Sequence, residues 1–146
     1  MNRVLITGGA GFIGSHTADL LLSQDVPVRV LDNLSSGNRT NLPDKHPLLE
    51  FIEGDITDSY MVDQAMIGVS HCLNLAAQVS VVASLENPEF SAMQNIIGFV
   101  NVLVAAQKNK VEKIVYASSA AIYGEPSEIP LPETAIKNQL SPYGLE

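Results

Sequence analysis

The sequence predicts an α/β domain with a doubly wound parallel sheet, and three observations support that prediction. Short β-branched runs alternate with longer segments of helical period along the 146 residues. These runs are mostly apolar without alternation, as expected for parallel strands that helices cover on both faces. A glycine-rich turn, TGGAGFIG, directly follows the first run. In such a sheet ligands lie at the carboxyl ends of the strands, so functional residues are expected just after strands.

The alternation predicts five strands and three helices. The predicted strands cover residues 3–7, 28–32, 50–53, 71–76 and 113–118. The predicted helices cover residues 12–23, 59–67 and 89–109, and the last follows Pro88, a residue well tolerated at a helix start. No linker or low-complexity stretch interrupts this order, so one domain is expected.

The long third helix is expected to pack on the sheet through one apolar face. That face is predicted from residues that recur at three- and four-residue steps: Phe90, Met93, Ile97, Val100 and Val104. A second apolar line, Ile96 and Leu103, is interpreted either as further core or as a subunit contact.

The composition also restricts partners and compartment. Of the residues, 46% are hydrophobic and 16% are charged, which fits one compact domain, and the formal charge of −8 argues against nucleic acid or an anionic membrane as a partner. The single cysteine, Cys72, permits no disulfide framework and favours a reducing compartment. No apolar run reaches the ~18 residues of a membrane span and no signal-peptide core is visible, so a cytoplasmic protein is expected.

The glycine turn has the spacing of a dinucleotide-binding motif. Gly9, Gly11 and Gly14 satisfy G-x-G-x-x-G, and Gly8 with the last two satisfies G-x-x-G-x-x-G. Glycine permits a tight turn and lets backbone amides approach a pyrophosphate, and the helix after the turn directs its first N–H groups at the same anion. Ordinary turns use glycine as well, but here strand, turn, helix and next strand all stand where the motif requires them.

Acidic residues follow the second and third predicted strands. Asp32 lies 18 residues beyond Gly14, where a carboxylate accepts the ribose hydroxyls of a dinucleotide, and this favours NAD over NADP. Arg39 in the following loop keeps NADP open as the alternative. Asp55 in GDITD is interpreted as a residue at the adenine edge or as a helix cap.

Hydroxyl groups gather after the last strand. Ser119 alone would be an ordinary turn residue, but Tyr143 follows it by 24 residues in SPYGLE. Ser141 and Pro142 have the properties of an N-cap and a first helical residue, so Tyr143 is predicted to begin a helix. The three histidines show no metal-ligand spacing, and no metal site is expected.

These motifs, in this order, resemble the N-terminal part of the extended short-chain dehydrogenase/reductases, in the NAD-dependent sugar-nucleotide epimerase/dehydratase family. The resemblance is carried by TGGAGFIGSH, LDN, GDITD, LAAQVSV, SSAAIYG and SPYG, and it covers essentially all 146 residues. It implies that residues 1–146 form an NAD-binding Rossmann domain, cut after the fifth strand, without the C-terminal substrate domain. A nucleotide sugar is the implied partner, and a homodimer is implied for the parent protein.

The resemblance also assigns cofactor contacts. It implies pyrophosphate contacts from Gly8, Gly11, Phe12 and Ile13, ribose contacts from Asp32, Asn33, Ser35, Ser36 and Gly37, and adenine contacts from Asp55 and Ile56. The implied remaining NAD contacts are Leu75, Ala76, Ala77, Asn95, Ala117, Ser118 and Tyr143.

The same resemblance implies that Ser119 and Tyr143 are the catalytic pair. Oxidation of a sugar hydroxyl needs a base, and an unperturbed tyrosine with a pKa near 10 is a poor base at pH 7. The family supplies a lysine four residues after the tyrosine, whereas this sequence ends at Glu146, so the fragment is expected to be inactive. Ser80, Val81 and Ser84 either contact the sugar or belong to an ordinary capped loop.

The implied reaction is epimerisation. Dehydratases of the family carry an acidic pair where this sequence has Ala120 and Ala121, so the resemblance favours a UDP-hexose 4-epimerase with a 4-keto intermediate. Two alternatives stay open. One is a non-catalytic NAD-binding module, and the other is a nucleotide-sugar dehydratase or reductase of the same family.

Overall fold

A parallel five-stranded sheet forms the centre of the molecule. The computed structural model describes residues 3–126 and 128–146. The strands are β1 (Arg3–Thr7), β2 (Val28–Asp32), β3 (Leu49–Glu53), β4 (Val69–Asn74) and β5 (Lys113–Tyr116). Their order in the sheet is β3-β2-β1-β4-β5, and every neighbouring pair is parallel. The doubly wound sheet predicted from the sequence is therefore confirmed.

Helices connect the strands. They are α1 (Phe12–Ser23), α2 (Ser59–Met66), α3 (Val81–Glu86), a continuous α4 (Pro88–Lys108) and α5 (Pro142–Leu145). Short 3₁₀ turns occupy Arg39–Asn41 and Ala120–Tyr123. The predicted bounds of α1, β1 and β2 are confirmed to the residue. The short α3 was not predicted, and β4 and β5 end two residues earlier than predicted, because pairing between them stops at Asn74 and Tyr116.

Two apolar layers cover the sheet, one on each face. β1 contributes to both, because its side chains alternate: Leu5 packs in the layer beneath α2 and α4, and Ile6 packs in the layer beneath α1. All five residues of β2 are buried, as expected for an inner parallel strand covered on both faces, and Arg29 and Asp32 are buried with the apolar ones. Cys72 on β4 belongs to the first layer, and burial raises the pKa of its thiol to about 12.

The predicted packing face of the long helix is wrong. Phe90, Met93, Ile97, Val100 and Val104, here called the α4 outer face, are 43% to 58% exposed. Ile96 and Leu103 are also exposed, so they are not core residues.

Small residues make the contact instead. Gly98, Val102, Ala105 and Ala106 are the buried positions of the second half of α4, and a Cβ atom at Gly98 would lie 2.6 Å from Ile56 Cδ1. The π turn at Met93–Ile97 places an extra residue in the helix and rotates the second half relative to the first, so a single 3.6-residue period cannot describe both halves.

Within residues 3–126 and 128–146, one helix, α4, is long and apolar enough to cross a membrane by length and composition. Its sequence is not an unbroken apolar run, because Ser91, Gln94, Asn95 and Asn101 interrupt it. Of its apolar stretch, 28% is buried inside the molecule. Asn101 on this helix donates to the backbone carbonyls of Ile56 and Thr57, so its side-chain amide is hydrogen-bonded to the loop after β3.

Candidate functional site

A cavity of about 740 Å³ opens at the carboxyl ends of the strands. It lies where strand order reverses, because the chain runs outward from β1 to β3 and then returns to place β4 beside β1. Doubly wound sheets bind ligands at this position, and the volume is within the range of ligand sites. We call this cavity the cleft. Its walls come from the glycine turn, the loops after β2, β4 and β5, the first half of α4, and α5.

Most of the sequence-predicted residues line the cleft. The cofactor and catalytic candidates found there are Gly8, Gly11, Phe12, Ile13, Asp32, Asn33, Ser35, Ser36, Gly37, Ile56, Leu75, Ala76, Ala77, Asn95, Ala117, Ser118, Ser119 and Tyr143. Four candidates, Asp55, Ser80, Val81 and Ser84, are not among the lining residues.

The glycine turn brings backbone amides to the cleft. Gly8 has a φ of +68°, and a Cβ there would lie 2.7 Å from the Ala76 amide nitrogen, so only glycine fits. A Cβ at Gly14 would lie 2.5 Å from Gly8 O, which explains how α1 packs so closely behind the turn. Gly11 is different, since its nearest neighbour is Gly8 O at 3.3 Å. Gly11 also supplies no side-chain cap for α1, so the first-turn N–H groups of the helix are available to an anion.

Asp32 joins the glycine turn to the loop after β2. Its carboxylate is 7% exposed and accepts hydrogen bonds from the Ala10 amide at 2.9 Å and the Leu34 amide at 2.8 Å. Each oxygen retains a further lone pair for a ligand hydroxyl. Arg39 points elsewhere: its guanidinium donates to the Leu42 and Pro43 carbonyls and lies 4.9 Å from the Phe51 ring centre.

Asp55 supports the cleft from behind. Burial alone would raise the pKa of its carboxyl, but hydrogen bonds from the Thr57 amide and hydroxyl and from the Asn33 amide together lower it below its ordinary value. The Asn33 contact, at 2.6 Å, holds the loop after β2 against the loop after β3. Asp55 is not the cap of α2, because Asp58 caps that helix, and its contact with adenine stays a prediction.

Both side-chain polar atoms of Asn95 form hydrogen bonds with other residues of the protein. Its Oδ1 accepts from the Gln78 amide at 2.8 Å, and its Nδ2 donates to the Gln78 carbonyl at 3.0 Å and to Glu146 Oε2 at 2.6 Å. Gln78 Oε1 is buried with no hydrogen-bond partner among the described residues. This loop therefore presents an acceptor that residues 3–126 and 128–146 leave unused.

Ser119 and Tyr143 both line the cleft. Ser119 caps the 3₁₀ turn, accepting from the Ala121 amide, and Ser141 caps α5, accepting from the Gly144 amide. The predicted cap at Ser141 and the helix start at Pro142 are confirmed. A Cβ at Gly144 would lie 2.8 Å from Ala121 O, so glycine lets the tyrosine helix approach the turn after Ser119.

The stretch after Val79 does not reach the cleft. Ser80 caps α3, Val81 is exposed, and Ser84 is completely buried. Ser84 accepts a hydrogen bond from the Tyr143 amide at 3.2 Å, so it holds the tyrosine helix rather than a ligand. Ser80 is thus a helix cap, and a contact of this stretch with the sugar stays a prediction.

Sequence reasoning missed several lining residues. Lys137 and Gln139 reach the cleft from the loop before α5, and Lys137 is the one positively charged residue lining it in the described ranges 3–126 and 128–146. Glu146 lines it too. No period or motif marks this loop, so only the folded arrangement reveals these side chains. Within the described residues, no cluster of three His, Cys, Asp or Glu side chains could hold a metal ion.

Comparisons with known proteins agree with this geometry. The model of the NAD dependent epimerase/dehydratase family matches residues 4–146. A putative UDP-glucose 4-epimerase of Methanocaldococcus jannaschii is 42% identical over 144 residues, which cover 97% of this chain and 46% of that protein.

Solved structures give the same result. A UDP-glucose 4-epimerase of Thermus thermophilus in complex with NAD has a TM-score of 0.88 and 41% identity, over 98% of this chain and 46% of that chain. A UDP-N-acetylglucosamine 4-epimerase of Methanobrevibacter ruminantium in complex with UDP-N-acetylmuramic acid has a TM-score of 0.91 and 35% identity, over 99% and 46%. The chain thus spans less than half the length of these relatives. From the glycine turn to the tyrosine helix, this chain belongs to the NAD dependent epimerase/dehydratase family.

Proposed function

We propose that the cleft binds NAD. The observation that carries this proposal is the set of groups that line one cleft. The glycine turn and the uncapped start of α1 lie there together with the Asp32 carboxylate, and Ser119 and Tyr143 line the same cleft. The residues present fit a dinucleotide, because backbone amides face the pyrophosphate position and a buried carboxylate faces the ribose position. The engagement of Arg39 with Phe51 and two carbonyls favours NAD over NADP.

We further propose that these residues form the cofactor-binding part of a UDP-hexose 4-epimerase. The family membership and the 4-epimerases among the relatives support this assignment. When bound, NAD would supply a reversible hydride acceptor. Tyr143 would remove the proton of the sugar 4-hydroxyl and later return it, and Ser119 would hydrogen-bond the same oxygen, so that a 4-keto sugar is the intermediate.

The 146 residues alone are proposed to lack epimerase activity. The resemblance places the cationic partner of the tyrosine one residue after Glu146, and proton removal from a sugar hydroxyl is proposed to need that partner. Ala120 and Ala121 occupy the acidic positions of the family's dehydratases and support epimerisation over elimination.

For the full-length protein we propose a homodimer formed through the α4 outer face. We also propose a cytoplasmic location, which suits the unpaired, buried Cys72.

The deciding experiment uses the full-length protein with UDP-glucose and UDP-N-acetylglucosamine. We expect the corresponding 4-epimers to form without net consumption of NAD. Stoichiometric consumption of reduced cofactor would identify a reductase, and 6-deoxy-4-keto products would identify a dehydratase. NAD binding with no conversion of either sugar would identify a non-catalytic NAD-binding module.

A further inference from the structure

The last residue of the chain makes two hydrogen bonds to α4. Glu146 Oε2 accepts from Ser91 Oγ at 2.8 Å and from Asn95 Nδ2 at 2.6 Å. Ser91 is completely buried, so this hydroxyl has been removed from water and depends on its partner. Hydrogen bonds to an ionised acceptor are stronger than neutral ones. The carboxylate therefore fixes the carboxyl end of α5 to α4.

The amino end of α5 is fixed as well. The Tyr143 amide donates to Ser84 Oγ at 3.2 Å, and Ser84, a residue of α3, is completely buried. This contact fixes the amino end of α5 relative to α3. α5 is thus held at two points, at the Tyr143 amide by the Ser84 hydroxyl and at its carboxyl end by the Glu146 carboxylate.

Asn95 connects the Glu146 carboxylate to the cleft wall. The same side chain that donates to Glu146 is bonded to both backbone groups of Gln78, in the loop after β4. The neighbouring residues Ala76, Ala77 and Val79 line the cleft. One amide group therefore sets the distance between this wall and the tyrosine helix.

We propose that Glu146 is a positioning residue for Tyr143. Its carboxylate, held by Ser91 and Asn95, keeps α5 seated so that Tyr143 continues to line the cleft with Ser119. The proposal rests on the proposed function in that it takes Tyr143 as the base. It assigns Glu146 an action through Tyr143 and no contact with the reacting atoms.

The test compares three variants of the full-length protein. Glu146→Ala removes the acceptor, Glu146→Gln retains an amide oxygen that can accept from Ser91 and Asn95, and Glu112→Ala is the control, since Glu112 is exposed before β5. We expect Glu146→Ala to lower kcat about tenfold or more, with KM and NAD affinity within about twofold, and Glu146→Gln to recover a large part of the loss. Hydrogen exchange of the Tyr143–Leu145 amides should accelerate in Glu146→Ala alone.

Either of two results would overturn the proposal. One is a Glu146→Ala variant with wild-type kcat and wild-type amide hydrogen exchange, and the other is a Glu146→Gln variant as slow as Glu146→Ala. If Glu146→Ala fails to fold, Ser91→Ala removes one donor without altering α5. Lower kcat with faster exchange at Tyr143 in Ser91→Ala supports the proposal, and unchanged values contradict it. If the wild type binds no NAD and epimerises no sugar, the proposed function fails, while the exchange comparison still decides whether Glu146 holds Tyr143.

Discussion

Asp32 serves the fold and the cleft with one carboxylate. Its two oxygens accept from the Ala10 and Leu34 amides, so the glycine turn and the loop after β2 keep a fixed separation. Because the side chain is almost entirely buried, an unsatisfied donor there would be costly. Asp32, which is proposed to bind the ribose hydroxyls, thus also connects the glycine turn to the loop after β2.

Asp32→Asn should weaken NAD binding about tenfold and reduce the discrimination against NADP, because the amide removes the negative charge and turns one acceptor into a donor. Calorimetric titration of the full-length protein with each dinucleotide measures both effects. Asp44→Asn, in the exposed stretch before β3, is the control and should bind NAD as the wild type does. Unchanged affinity and unchanged discrimination in Asp32→Asn would contradict the ribose assignment.

Asp55 should make the loop after β2 sensitive to acid. The pKa of its carboxyl is lower in the folded state than its ordinary value, so it contributes stability above about pH 4 that is lost as the pH falls through the lowered value. We expect Asp55→Asn to flatten the fall in unfolding free energy below about pH 4, measured by urea unfolding at a series of pH values. An equally steep fall in the variant would show that other carboxylates govern the acid response.

At the scale of elements, β2 is joined to α2 through a buried arginine. Arg29 is 7% exposed, pairs with Glu50 at 2.8 Å, and donates to the Ala65 and Ile67 carbonyls at 2.7 Å. Ala65 lies in the last turn of α2 and Ile67 is the C-cap residue, so neither carbonyl has a partner inside the helix. The guanidinium group therefore caps this helix from the neighbouring strand.

Replacing this arginine should destabilise the domain more than replacing its exposed neighbour. We expect Arg29→Met to lower the unfolding free energy by about 2–4 kcal/mol, because two carbonyls lose their donor and Glu50 loses its shorter ion pair. Arg3→Met removes a charge that contacts the same Glu50 at 3.4 Å from a more exposed position, and should cost less than about 1 kcal/mol. Equal losses in the two variants, measured by urea unfolding, would contradict the capping role.

The elements that the sequence predicts well are those with a strong local cause. The glycine turn, the two central strands and the cap at Ser141 follow from backbone chemistry, and the residues assigned to the pyrophosphate and ribose line the cleft. The packing face of α4 could not be predicted, because close approach to the sheet requires small residues and the π turn changes the helical phase. Lys137 and Glu146 reach the cleft through tertiary contacts that no local pattern records.

The whole molecule presents a broad apolar surface along α4. Phe90, Met93, Ile97, Val100 and Val104 are all more than two-fifths exposed, and such a surface is typical of a contact between proteins. In the proposed homodimer this surface faces its counterpart on a second copy. A subunit contact would account for the exposure of these apolar residues. It would also account for the failure of the apolar pattern to indicate which side of α4 faces the core.

A charge on this surface should separate the subunits. We expect the full-length protein to sediment as a dimer and Val100→Glu to sediment as a monomer at the same concentration, because a buried, unpaired carboxylate opposes association. Leu20→Glu, on the exposed side of α1, is the matched control and should remain a dimer. A wild-type monomer, or a Val100→Glu dimer, in analytical ultracentrifugation would rule out this interface.

The depth of Cys72 in the layer beneath α4 has a practical consequence for spectroscopy. With its thiol almost fully protonated at neutral pH and shielded by the sheet, it will not compete for maleimide or iodoacetamide labels. Among residues 1–146, a cysteine introduced at Phe12, which lines the cleft and is 79% exposed, would then be the readily labelled thiol. These 146 residues contain no tryptophan, so they add no indole emission to the fluorescence of such a reporter.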